Sequence, residues 1–224
     1  VTRRPATPAR LRLRRARALA RRALRAEARV YTSIARAIAR RPSIEVGGAG
    51  FTYHRPVRTV LWVFIALSAL EIPIIDLIAR NWPPVRIALL VLGVWGVTWM
   101  VGLLCAMLMR PHTVGPSGIR VRGGLEIDVP IPWGPIAFIA IDPRVDQPKT
   151  PRVTHDASDG SAEYAERVQY ETNILIELEA PLAIRLPGSA PAHGGAPSVT
   201  SVRLWADDPR ALLAAARPFL LAHA

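Results

Sequence analysis

Apolar and polar positions divide the chain into four stretches. From Thr59 the sequence turns continuously apolar: TVLWVFIALSALEIPIIDLIA over 59–79, then IALLVLGVWGVTWMVGLLCAMLM over 87–109, with RNWPPVR between them. Each run is about 20 residues, the length that crosses about 30 Å of hydrocarbon as a helix. In lipid, such runs satisfy their backbone groups only as helices. The pattern therefore predicts a two-helix transmembrane hairpin over 59–109, with Trp62 and Trp82 near its two interfaces.

Residues 110–224 change to short alternating runs. HTVG, GIRVR, LEIDVP, IAFIAID, VQYETNILIELE, LAIRLP and VTSVRLWA read as about seven strands, with turns at GPSG and RGG. Residues 143–167 and 187–198 read as long loops. A C-terminal helix over 208–223 is marked by Asp207 or Asp208 as N-cap and Pro209 at its first position. Leu212, Leu213, Ala216, Phe219 and Leu220 form its packing face. Residues 1–42 are an Ala/Leu/Arg-rich tail, helical or disordered, with an irregular stripe of Leu13, Leu19, Leu24, Val30 and Ile34. Residues 43–58 read as a Gly/Pro linker. Its GGAG lacks the Lys and Ser/Thr of a phosphate loop. The expected fold class is a membrane α-helical hairpin plus an α+β domain.

Charge adds an orientation. The net charge is +12, but residues 1–58 hold sixteen Arg against Glu27 and Glu45, whereas 111–224 is acidic overall. The tail and Arg110 flank the hairpin on one side, and only Arg80 and Arg86 lie in its turn. The positive-inside rule then puts both termini in the cytoplasm of a multi-pass inner-membrane protein. A single Lys among so many Arg reads as GC-rich codon bias, which lowers the weight of the Arg count as functional evidence. The first residue, Val1, reads as a GTG start taken literally or as the edge of a fragment.

Two acids fall inside the first span. Asp76 stands four residues before Arg80 and is expected to pair with it at the outer interface. Glu71 lies deeper, where an ionised group costs at least ~2.5 kcal/mol. Counting back through the turn places it level with Trp95 to Thr98. Trp95, Thr98 and Trp99 are therefore its expected donors, with Pro73 kinking the helix and Gly93 and Gly96 allowing close approach. A hydrogen-bonded strut is the favoured reading of Glu71. An ion or proton relay in an oligomer is the functional one.

The rest of the chemistry is sparse. Cys105 is the single cysteine, and the histidines at 54, 112, 155, 193 and 223 lack metal-ligand spacing. GPSG sits in a hairpin, not a nucleophile elbow. No catalytic residue, cofactor or metal is expected, and no enzyme activity. Arg120 and Arg122 alternate on one strand and are the only candidates for an anionic headgroup in the β-domain. A solvated strand face is their ordinary reading.

VGPSGIRVRGGLEIDVPIPWGPIAFIAI and VRLWADDPRALLAAA resemble bacterial pleckstrin-homology-like (PH-like) domains. The arrangement is also similar to that of uncharacterised two-span membrane proteins of actinobacteria: a basic tail, F-x-Y-x-R, a first span with Glu-Ile-Pro, a second with LGVWG, then ADDPRAL. The likeness covers residues 31–224. It implies a PH-like β-barrel or sandwich over 110–224 and no particular activity. The two long loops depart from a minimal PH-like domain. Three functions follow as expectations: a membrane-tethered interaction module with a protein partner or a homo-oligomer, a small oligomeric transport or sensing element built on Glu71, and recruitment of anionic lipid or nucleic acid by the tail. Nucleic acid is the least favoured, because Tyr31 alone offers the tail a stacking ring.

Overall fold

The computed structural model describes residues 8–148, 150, 152–155, 160–186 and 196–223, without the side chains of 8–15 and 18. Most of the expected 187–198 loop lies outside the described residues. The tail forms one long helix, α1 (Pro8–Ile38). The apolar runs form α2 (Arg55–Ile78) and α3 (Pro83–Met109), joined by a short 3-10 turn, Ala79–Asn81. Prolines in the first turns of α2 and α3 fit, because no intrahelical bond is lost there.

Both helices are long and apolar enough to cross a membrane. Only 6% and 11% of their most apolar windows are buried inside the structure. They are therefore not core helices of a soluble domain. Residues such as Phe64, Leu67, Leu70, Leu77, Val91 and Leu92 present a continuous apolar surface, larger than soluble monomers normally expose.

The remainder is two sheets and a helix. β1 (Ala49–Phe51), β2 (His112–Gly115), β3 (Gly118–Gly123) and β4 (Ile127–Ile131) pair in that order, all antiparallel. The second sheet runs β5 (Ile136–Arg144), β8 (Thr172–Ala183), β9 (Ser198–Leu204), β7 (Ala162–Glu166) and β6 (Val153–His155), with β7 and β9 parallel. Among the described residues there is no closed barrel. One core joins the sheets, through Ile119, Val121 and Val129 on one side and Tyr164, Ile176 and Val202 on the other. α4 (Pro209–His223) closes it with Leu212 and Ala216. Trp133 stacks on Phe219 of α4 at 5.3 Å and donates its indole N–H to the Gly115 carbonyl.

Three sequence expectations change. The 43–58 linker belongs to the fold: β1 pairs with β2, and Tyr53 and His54 are buried. Its Gly-rich strand is the one that fits, since a side chain at Gly50 would run into Ile44 and Pro111. The 143–167 loop contains β6 and β7. β7 is an internal strand despite its Ala-rich sequence, because its buried Ala162, Tyr164 and Ala165 meet close neighbours on both sides. The two runs expected to meet at Ala180–Pro181 are a single strand, β8, whose register against β9 slips between Glu177 and Leu182, where Pro181 withholds its N–H.

Candidate functional site

The structure distributes the hairpin's polar groups differently from the sequence reading. Asp76 pairs with Arg86, whose Nε and Nη2 lie 2.5 and 2.8 Å from its two carboxylate oxygens. Arg80 is not its partner. The i, i+4 relation needs a continuous helix, but α2 ends at Ile78 and the 3-10 turn carries Arg80 off that face. Arg86, in the first turn of α3, then faces Asp76 across the hairpin.

The two indoles do not reach Glu71. Trp95 and Trp99 donate to Glu27 of α1, at 3.0 and 2.7 Å, one to each carboxylate oxygen. Thr98 turns back to the Val94 carbonyl at 2.8 Å. Trp95 and Gly93 are two residues apart, about 200° around a helix of 3.6 residues per turn. The Trp95–Trp99–Gly102 stripe therefore faces α1, whereas Gly93, Val97 and Met100 share a groove with Glu71 of α2.

Glu27 is thus a site residue that the sequence reading passed over. It belongs to a docking face of Ala26, Glu27, Val30, Ser33, Ile34 and Ala37, all at least partly buried. Val30 is fully buried and packs on Gly102, where even a methyl group would collide with it. The larger stripe residues Leu19 and Leu24 stay exposed. Beyond the docking face, Arg22 reaches Glu126 in the β3–β4 turn at 2.8 Å, while Arg17, Arg21, Arg25 and Arg29 line an exposed stripe.

A second polar cluster fixes the hairpin to the sheets. Asp207 accepts the Arg55 backbone N–H at 3.1 and 3.2 Å, and its own N–H bonds to the Thr52 carbonyl. It therefore caps the first turn of α2. Asp208 is the cap of α4, accepting the Ala211 N–H at 2.9 Å. At the other helix end, Arg110 donates to the carbonyls of Gly124, Leu125 and Ile127. Both ends of the hairpin are thereby gripped by the β-domain.

Beneath this grip His112 is buried. Its Nδ1 accepts the Arg122 N–H, so Nε2 carries the proton and donates to the Trp205 carbonyl at 2.9 Å. Tyr53 lies against its ring, with centroids 4.6 Å apart, and accepts the Gly124 N–H. Burial pushes the Tyr53 hydroxyl up to about 12 and the His112 ring down to about 4. An unfolded histidine titrates near 6.5. His112 therefore contributes stability that is complete above about pH 6.5 and lost as pH falls toward 4, about 3 kcal/mol across that window. Glu166, raised by burial, works in the opposite sense. The measurement is a difference: chemical denaturation from pH 7 to 4 shows a steeper loss in the native chain than in His112→Gln. Equal slopes would contradict the buried neutral ring.

The candidate headgroup pair Arg120 and Arg122 is engaged within the protein. Arg120 forms a two-pronged contact with Asp128 at 3.1 and 3.0 Å. Arg122 is buried, bonded to the Ser43 carbonyl and 3.6 Å from Asp128. The pair is thus not a free cationic pocket: Arg120 stays partly solvated beside Asp128, whereas Arg122 is covered. Arg122 instead holds the end of the α1–β1 connection.

No protein-family model, curated protein or solved structure matches this chain.

Proposed function

We propose that this chain is an integral membrane protein whose helical hairpin holds a PH-like interaction module at the cytoplasmic face of the inner membrane. The observation that carries the reading is the edge of the second sheet. β5 is its outermost strand, nine residues long, with Phe138 and Ile141 about half exposed. An apolar strand edge with unpaired backbone groups is a template for adding a partner's strand. The grip of Asp207 and Arg110 on the two helix ends supports a fixed presentation of that edge relative to the bilayer. The likeness to PH-like domains rests on the order of strands followed by a capped C-terminal helix. The exposed Arg17–Arg29 stripe of α1 suits an anionic membrane surface, where each Arg adds about 1 kcal/mol, better than nucleic acid.

The test compares neighbours cross-linked in cells to the native chain and to the Phe138→Glu/Ile141→Lys double variant. The reading expects a protein neighbour that the variant loses while keeping its membrane fraction and fold. Identical neighbours for both chains would overturn the edge as the contact surface.

A further inference from the structure

With Trp95, Trp99 and Thr98 engaged elsewhere, Glu71 has no hydrogen bond or ion pair among the described residues. It lies on the surface of the hairpin, in a groove of about 230 Å³ between α2 and α3. Ser68, Ile72, Gly93, Gly96 and Met100 line that groove with it. Its two glycines differ. Gly93 is in contact with Ile72, and so serves the packing of α2 on α3. At Gly96 a methyl group would meet nothing within 4 Å. The groove is therefore open at Gly96, beside the carboxyl group. Its wall on α3 is apolar, with Leu89 and Leu92 exposed.

A lipid chain fills apolar volume but offers a carboxyl group no hydrogen bond, and an acid in hydrocarbon needs one. The occupant must therefore carry a polar group at the depth of Glu71. A second copy of the chain does so by symmetry. A two-fold axis along the membrane normal brings the same carboxyl to the same depth, and two carboxylic acids are mutually complementary as donor and acceptor. The contact is isologous, as closed dimers require. Open space at Gly96 allows the close helix approach on which packing in lipid depends. We propose that the chain dimerises through this groove, Glu71 against the same residue of a second copy. The inference rests on the transmembrane reading of α2 and α3.

The test uses the full chain in lipid vesicles at high dilution, in a Cys105→Ser background with Leu92→Cys on the groove wall. Oxidation is expected to give a disulfide-linked dimer. Glu71→Gln, whose amides also pair, keeps it. Glu71→Leu and Gly96→Leu lower the cross-linked fraction at least roughly fivefold. Gly96→Leu sets its β-carbon in open space and occupies the part of the groove that a second copy would enter. Cysteine at Val63 serves as an off-groove control. No cross-link in the native-groove protein, or one unchanged by Glu71→Leu and Gly96→Leu, overturns the proposal. Alkaline carbonate extraction of the same vesicles separates the two failures. Chain that stays in the membrane but does not cross-link refutes the dimer alone, whereas chain that is extracted refutes the hairpin on which it rests.

Discussion

Glu27→Leu or Gly102→Leu frees α1 from α3 and opens the chain to trypsin after Arg25 and Arg29. The two substitutions act on opposite partners of one contact. The first leaves the Trp95 and Trp99 indole N–H groups without their common acceptor. The second drives a side chain into Val30, whose own backbone lies too close to yield. Apart from Ile34, small residues make up the rest of the docking face, so little other apolar contact holds the helix while these are lost. Cleavage within a folded element follows the population of its opened form. Limited proteolysis of the detergent-solubilised chain should show cuts after Arg25 and Arg29 accelerating on the order of tenfold in either variant. Glu27→Gln, which keeps one acceptor oxygen, falls between. Unchanged cleavage in both Leu variants would mean that α1 is held by something other than this contact.

Arg203→Met destabilises the β-domain by about 3 kcal/mol. Arg203 sits on β9, inside the second sheet, and is 1% exposed. Its Nε lies 2.7 Å from Glu163 and its Nη2 2.5 Å from Asp142. Removing the cation leaves two carboxylates facing each other, with the more distant Arg144 near both, at 3.8 and 3.6 Å. The acids are partly solvated, which sets the loss at the lower end of the range for broken buried pairs. Arg203→Lys recovers part of it, since an ammonium cannot serve both acids with the same fork. Urea denaturation measures the difference, and a loss below about 1 kcal/mol would contradict the account of Arg203 as a buried hub.

The hairpin and the C-terminal helix were legible because their signals are local. Long uninterrupted apolar runs, and a proline set behind an aspartate, say the same thing in any context. The polar partners differ from the sequence expectation for one reason: separation along the chain gives depth but not the face of a helix. Depth alone put Glu71 opposite Trp95, but azimuth places that indole on the far face of α3. Spacing alone joined Asp76 to Arg80, but the helix stops between them. Asp207 or Asp208 reads as the cap of α4; Asp208 is that cap, and Asp207 instead serves α2, 152 residues earlier. The stripe read from sequence contains Val30 and Ile34 of the docking face of α1, but not Glu27 or the small Ala26, Ser33 and Ala37 that complete it, since neither a charge nor a small side chain marks a packing face. β1 and β7 were hidden by glycine and alanine, which fit tight inter-strand spaces without the β-branched residues that mark strands in sequence. Arg122 looked like a surface cation because its cover, the Ser43 carbonyl, comes from a stretch read as a linker.

The account stands on the β-domain facing the cytoplasm beneath a membrane hairpin, and one accessibility measurement reaches that claim directly. Ser198 is exposed at the start of β9, and Cys105 is the only native thiol. In a Cys105→Ser background, Ser198→Cys is exposed to a membrane-impermeant maleimide, on intact cells and after lysis. The account predicts labelling only after lysis. Labelling of intact cells would place the β-domain and the basic helix outside, against the charge distribution, and would contradict it.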